Sequence, residues 1–318
     1  MKNWCLGIDI GGTSVKFGLF DMEGILLKKW SIPTRIQEKG KNILKDIAVS
    51  LEKNFTIWGL GREQIVGAGI GVPGLVIEDG TVLHAENLGW GRKAVAREMK
   101  NLTGIQVKVE NDANLAALGE IWKGSGKNCH SMLFVTLGTG IGCGIVINDK
   151  ILSGVSGAAG EIGHMHVEDH MTKQCNCGKY GCLEQFASAT GICWMGQRAL
   201  EESAEDSILR GQEMSARIVF DAVRKQDSLA VQIVEKFGYY LGKALAASAC
   251  IINPERIVIG GGVSMAGNII LDYVEKYYHK YAYPPCENIE FRLASLGSEA
   301  GIYGGARLIY QEKNKDME

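Results

Sequence analysis

The sequence predicts an α/β chain built from two similar halves, and three observations carry that prediction. An apolar strand, a glycine-rich tip and a second apolar strand occur at Trp4–Phe20 and again at Ser131–Ile147, the pattern of a β-hairpin repeated once. Helical periodicity fills the stretches between strands, as it does where helices cover mixed sheets. The 318 residues, 46% hydrophobic and 22% charged, suffice for two domains with separate cores.

In the first half, the apolar run into Asp9 gives one strand and Val15–Phe20 the next. Ile65–Val72 and Val107–Val109 read as further buried strands, with helices at Ile43–Phe55 and Ala94–Leu102 and another beginning at Ala113. In the second half, Met132–Val135 and Cys143–Ile147 flank the second tip. Helices follow at Ser215–Val223, Leu229–Ala249 and Val274–Tyr281, and the strand Ile257–Ile259 leads into Gly260-Gly261-Gly262. Small residues cluster at Ala113, Ala116, Ala117 and Gly119, and again at Ala300, Gly301, Gly304, Gly305 and Ala306. A glycine within a helix costs roughly 1 kcal/mol relative to alanine, so such clusters predict two helices that cross closely. We read them as the helices about which two lobes hinge. The lobes expected are residues 1–118, with 300–318 packing back on them, and residues 119–299.

A formal net charge of −2 gives no basic footprint, so no nucleic-acid partner is expected. No run of about 18 residues stays apolar and uncharged, so no membrane span is expected. Asp9 comes soon after the start and no apolar segment follows Lys2, so no signal peptide is expected. Nine cysteines, an odd number, suit a reducing compartment, and a cytoplasmic location is expected.

The densest chemistry lies in Cys175-Asn176-Cys177-Gly178-Lys179-Tyr180-Gly181-Cys182-Leu183-Glu184, with Gly160-Glu161-Ile162-Gly163-His164 upstream. Three thiols in Cys-x-Cys-x4-Cys spacing, with one imidazole, supply the ligands of a closed tetrahedral Zn2+ site. Four protein ligands leave no open position for water, so the metal is expected to be structural. His166 and His170 are rival ligands. Two glycine tips, Gly11-Gly12-Thr13 and Gly138-Thr139-Gly140, offer successive backbone N–H groups to phosphate. Neither has the Walker or the Rossmann spacing. Asp9 ends a strand at the first tip, where a carboxylate suits phosphate only with a cation such as Mg2+ between them; the alternative is a turn cap. Lys16 is either a phosphate partner or a surface lysine. Asp112, at a strand end, is either a helix N-cap or a proton acceptor.

The zinc stretch, Asp9-Ile10-Gly11-Gly12-Thr13, Asn87-Leu88-Gly89-Trp90, Glu110-Asn111-Asp112, Gly138-Thr139-Gly140-Ile141-Gly142, Gly260-Gly261-Gly262 and Ala300-Gly301-Ile302-Tyr303-Gly304-Gly305-Ala306 stand in one order over Leu6–Arg307. In that order they resemble the ROK family of sugar kinases and sugar-responsive repressors, most closely its bacterial glucokinases. The resemblance implies two ribonuclease-H-like domains, of the actin, hexokinase and Hsp70 ATPase type, with a cleft between them. It implies ATP-dependent phosphorylation of a free hexose at its primary hydroxyl, with glucose the leading acceptor and Asp112 the general base. Asn87, Asn111, Glu161, His164 and Glu184 would join Asp112 in holding the sugar. Asp9, Gly11, Gly12, Thr13, Gly138, Thr139 and Gly140 would hold the phosphates, and Gly260, Gly261 and Gly262 the adenosine. His164, Cys175, Cys177 and Cys182 would hold zinc. Trp90 either stacks on the sugar or packs its loop. A homodimer is implied. An N-acetylmannosamine kinase, a fructokinase, a sugar sensor and a repressor are the alternatives; a repressor would carry a helix-turn-helix module before Asp9.

Overall fold

The computed structural model describes residues 4–315. Lys2, and the ends of the expected first lobe at residues 1–3 and 316–318, lie outside them. The chain forms two compact units. Unit 1 takes the residues up to His130, Gly144–Ala159 and those from Leu296 onward; unit 2 takes Ser131–Cys143 and Gly160–Ser295.

In unit 1, β1 (Trp4–Ile10) pairs antiparallel with β2 (Ser14–Asp21), and β2 with β3 (Leu26–Pro33). On its other side β1 pairs parallel with β4 (Ile65–Val72). A small hairpin of β5 (Leu75–Val76) and β6 (Val82–His84) follows, and then β7 (Val107–Asn111) joins β4 in parallel. The order is β3-β2-β1-β4-β7. Alternation along the strands sorts the two faces. Leu6, Ile8 and Ile10, with Phe17, Ala68, Ile70 and Val72, enter a core shared with the helices Ile43–Trp58 and Val95–Thr103.

The intervening positions, Gly7 and Asp9 on β1 and Gly67 and Gly69 on β4, face the helix Ala300–Lys315. There the strands and helix touch through backbone: a Cβ at Gly7 would lie 1.7 Å from the Ile302 carbonyl oxygen, and one at Gly69 2.1 Å from that of Gly305. The same helix crosses the helix Asp112–Lys123 just as closely, since a Cβ at Gly304 would lie 1.7 Å from the Leu115 carbonyl oxygen. The crossing expected from the small residues is therefore present, and it is made of main chain.

The second sheet comprises β8 (Met132–Leu137), β9 (Ile141–Ile147), β10 (Lys150–Ile151), β11 (Arg256–Gly260) and β12 (Glu290–Leu293), in the order β10-β9-β8-β11-β12. The unit boundary runs through β9. Both sheets thus repeat one order, with two parallel strands on one flank, which is the duplicated ribonuclease-H-like topology. Every residue of β11 is buried, as expected of a parallel strand covered on both faces. In unit 2 the helix Ser228–Ile252 crosses Ile269–Tyr281 at Gly238 and Gly242, where an added Cβ would lie 2.5 Å from backbone oxygens of Tyr273 and Val274.

Strands β3 and β12 and the helix Ala189–Glu202 are not predicted from the sequence. β3 is an edge strand whose Lys28 and Lys29 face solvent, the charged composition that protects an open edge and hides its strand character. Among the described residues no helix is long and apolar enough to cross a membrane.

Candidate active site and metal cluster

In unit 1 the end of β1 delivers Asp9 onto the same face as Gly301, where an added Cβ would sit 2.8 Å from the Asp9 carboxyl carbon. A Cβ at Gly71, on neighbouring β4, would lie 3.6 Å from both Asp9 Oδ1 and Asp112 Cα, so the two acids flank one glycine. Burial, with the Asp112 charge adding to it, pushes the Asp9 carboxyl up to about 6, while Lys16 pulls it back. Burial also raises Asp112, against a hydrogen bond from the Ala113 N–H that lowers it. Lys16 is occupied on this face, with its Nζ 4.0 Å from Asp9 Oδ2 and donating to the Ser298 carbonyl at 3.1 Å.

Asp112 is not the N-cap of its helix. Asn111 caps it, with Oδ1 accepting from the N–H groups of Ala113 (2.8 Å) and Asn114 (3.1 Å). Asn111 Nδ2 donates to the Gly74 carbonyl at 3.0 Å. Asp112 is thereby left in the first helical turn, where its Oδ1 accepts from the Ala113 N–H at 2.9 Å and its Oδ2 remains for other work. The first tip is braced from behind: Gly11 N–H donates to Ser14, Thr34 Oγ1 donates to the Gly11 carbonyl at 2.7 Å, and Thr34 N–H donates to that of Thr13. Gly12 and Thr13 are exposed, and an added Cβ at Gly12 would lie 3.8 Å from the Asn87 carbonyl oxygen. Trp90 is buried and its indole N–H donates to the Gly40 carbonyl at 3.0 Å, so it packs its loop.

In unit 2, one ligand atom each from His164, Cys175, Cys177 and Cys182 falls within 4.8 Å of all the others. Cys177 and Cys182 sulfurs are 3.6 Å apart, and Cys175 Sγ is 3.8 Å from His164 Nδ1. Zinc bonds of about 2.3 Å to sulfur and 2.0–2.1 Å to nitrogen set tetrahedral ligand atoms about 3.5–3.8 Å apart, so the donor set fits that ion in kind, and these two pairs fit it in spacing. Left-handed Gly178 and Gly181, at φ 84° and 70°, turn the loop between the cysteines. His166 has its ring nitrogens engaged by the Tyr180 carbonyl and Asp169, and neither it nor His170 belongs to the cluster. His164 Nε2 lies 3.9 Å from Glu161 Oε2. Cys175 Sγ donates to Glu184 Oε1 at 3.0 Å.

The second tip adjoins that cluster. An added Cβ at Gly140 would lie 2.6 Å from Glu184 Oε2, and Thr190 Oγ1 donates to the Thr139 carbonyl at 2.7 Å. Ala189 N–H donates to the Gly138 carbonyl, and Ser188 caps the helix that begins there. Of the triple glycine, Gly260 and left-handed Gly261 meet Phe134 and Leu137 of β8, while Gly262 has open space around it. Gly262 opens onto a cavity of about 510 Å³ shared with Arg217, Phe220, Asp221, Arg224 and Met265. Those five side chains carried no recognisable sequence signal, because a helical period does not say which face lines a pocket.

Within each unit the predicted residues therefore converge: Asp9, Asp112 and the first tip in unit 1, and the four metal ligands, Glu161, Glu184 and the second tip in unit 2. The chain is 42% identical to the glucokinase of Halalkalibacterium halodurans, over 98% of this chain and 96% of that protein. It is 30% identical to a putative xylose repressor of a Caldicellulosiruptor species, over 96% of this chain and 78% of the repressor. Among solved structures it is similar to a ROK family glucokinase from Streptomyces griseus in complex with glucose and AMPPNP. That likeness has 31% identity and a TM-score of 0.78, covering 97% of this chain and 99% of the other. The sequence profile of the ROK family matches residues 5–312, and with these likenesses it establishes that the chain belongs to the ROK family.

Proposed function

We propose that this chain transfers the terminal phosphoryl group of ATP to the primary hydroxyl of a free hexose, with glucose the preferred acceptor. The observation that carries the reading is Asp112, released from capping by Asn111 and set beside Asp9 across Gly71. The 42% identity to a glucokinase and the 31% identity to a glucose-bound one support glucose as the acceptor.

In this reading Asp112 accepts the proton of the hexose hydroxyl as its oxygen bonds to the γ-phosphorus and the bond to the bridging oxygen of ADP breaks. The upward shift of Asp112 by burial makes it a stronger base than an ordinary carboxylate. Asp9, a buried acid beside a second acid, suits Mg2+ carried in with the nucleotide, because a cation relieves both burial and repulsion. The tips Gly11, Gly12, Thr13 and Gly138, Thr139, Gly140 hold phosphate oxygens through the backbone N–H groups of Gly12, Thr13, Thr139 and Gly140, while those of Gly11 and Gly138 close the turns on the Ser14 and Gly140 carbonyls. The cavity at Gly262 takes the adenosine.

Asn87, Asn111, Glu161, His164 and Glu184 bind the sugar hydroxyls. His164, Cys175, Cys177 and Cys182 would hold Zn2+, which would fix the shape of that part of the pocket. Cys175, holding such an ion as a thiolate, would have no proton to donate to Glu184, and the carboxylate would then be able to accept from a sugar hydroxyl. A cytoplasmic homodimer completes the proposal.

The likeness to a xylose repressor favours one second reading, a sugar-binding body without turnover. Coupled ADP release against a panel of hexoses, with the phosphorylated position read by NMR, separates the two. Glucose-dependent ADP release with a 6-phosphate product is the expected result. Sugar binding without ADP release would leave the repressor reading standing.

A further inference from the structure

Glu110 is the member of the Glu110-Asn111-Asp112 run to which neither the sequence nor the family resemblance gave a task. Its side chain joins three partners. Oε1 accepts from the backbone N–H of Asn111 at 2.8 Å and from Asn114 Nδ2 at 2.9 Å. Oε2 accepts from the Ser153 hydroxyl at 2.9 Å. Asn114 is 2% exposed, and its other amide atom, Oδ1, is buried without a partner. Glu110 is thus what fixes the Asn114 side chain, one helical turn beyond the end of β7.

Two segments meet at this carboxylate. The first is the start of the helix Asp112–Lys123, whose opening residue is the proposed base. The second is the stretch 152–159, which runs in the chain directly into Gly160 and Glu161. Gly157 anchors that stretch to β5, since a Cβ there would lie 2.2 Å from the Val76 carbonyl oxygen. Ser153 is its tie to β7.

We propose that Glu110 is a positioning residue for phosphoryl transfer, setting Asp112 through Asn111 and Asn114 and the approach to Glu161 through Ser153. The proposal rests on the kinase reading above for what Asp112 does. A strained or wandering base is costly because a displacement of about 1 Å can lower turnover on the order of a hundredfold. The two arms predict different kinetic signatures. Loss of the arm to the helix is felt in kcat, where Asp112 acts. Loss of the Ser153 arm is felt in the hexose KM, because the segment leads to a sugar-binding carboxylate.

The test is a set of three variants in the full chain, assayed for hexose kinase turnover and for amide hydrogen exchange. Glu110→Ala is expected to lower kcat roughly 10- to 100-fold and leave the KM for Mg-ATP within about twofold. Glu110→Gln keeps an amide oxygen for Asn111 and Asn114 and an NH2 for the Ser153 oxygen, and should restore kcat to within about threefold of wild type. Ser153→Ala should raise the hexose KM several-fold at near wild-type kcat. Exchange of amides in 113–115 and in 153–157 should quicken together in Glu110→Ala, and in 153–157 alone in Ser153→Ala.

Unchanged kcat in Glu110→Ala, a Gln variant as poor as the Ala variant, or an unmoved KM in Ser153→Ala would each overturn the positioning role. If Glu110→Ala does not fold, the Gln and Ser153 variants still decide. If the wild type consumes ATP with no hexose, the kinase reading fails instead, and the exchange pattern alone tells whether Glu110 joins the two segments.

Discussion

Asp112 and Asp9 place opposite demands on the site, and single substitutions separate them. Asp112→Asn keeps volume and helix start but removes the proton acceptor, so kcat and kcat/KM should fall together by roughly 10²–10⁴. Isothermal titration should find hexose and nucleotide affinities little changed; a loss of turnover below tenfold would remove Asp112 from the role. Asp9 is instead a stability cost to the ligand-free protein. Its folded pKa of about 6 lies above the unfolded value, so the folded state holds the extra proton. Stability therefore falls as pH rises from about 4 through about 6, and the penalty is fully present above that. Asp9→Asn should raise the ligand-free melting temperature at pH 7.5, by a free energy of about 1–3 kcal/mol, while abolishing Mg-ATP turnover. The advantage should vanish below about pH 4. A variant that melts earlier than wild type at pH 7.5 would contradict this account. At this scale the sequence was legible where a residue type allows one chemistry: three cysteines and a histidine assemble as spaced. It was ambiguous where several roles share a residue type, and Asn111, not Asp112, proved to be the cap.

Among the elements, the helix Ala300–Lys315 depends most on small side chains. At Gly304 an added methyl would lie 1.7 Å from the Leu115 carbonyl oxygen, and a main-chain atom cannot rotate away. Overpacking typically costs about 1–3 kcal/mol, and Gly304→Ala should lower the melting temperature by roughly 3–10 °C. Gly91→Ala, with nothing within 4 Å of the new methyl, is the control and should melt like wild type. Equal melting of the two variants would show that the crossing can open. The hydrophobic period located most of the helices and the buried strands, and small-residue clusters located this crossing. The glycines of Gly67-x-Gly69-x-Gly71 carry the same information at a strand period, marking the face of β4 turned from the apolar core. Periodicity failed for β3 and β12, because β3 has no fully buried residue and β12 only Phe291, too few to mark an apolar face.

For the whole molecule, metal should be a local matter. The four ligands lie in unit 2 between His164 and Cys182, so chelation should quicken hydrogen exchange in residues 160–186 and leave the β1–β4 amides of unit 1 protected. Cys177→Ser should bind less than one zinc per chain and show the same pattern, with weakened glucose affinity. Wild-type protein that purifies without zinc and does not respond to chelator would reject the site. The doubled fold could be suspected from two glycine-tipped hairpins, but its strand order could not, because pairing across β1–β4 and β8–β11 joins segments whose separation in sequence exceeds any local pattern. The seam between unit 1's sheet and its last helix has a further bearing on how this chain can vary. Where Gly7 meets Ile302 and Gly69 meets Gly305, each partner is a peptide group or another glycine. An enlarged residue there leaves nothing opposite to trim. Selection for revertants of Gly7→Ala or Gly69→Ala should return the original codon rather than a compensating change across the seam, so these positions are ones that neighbouring mutations cannot release.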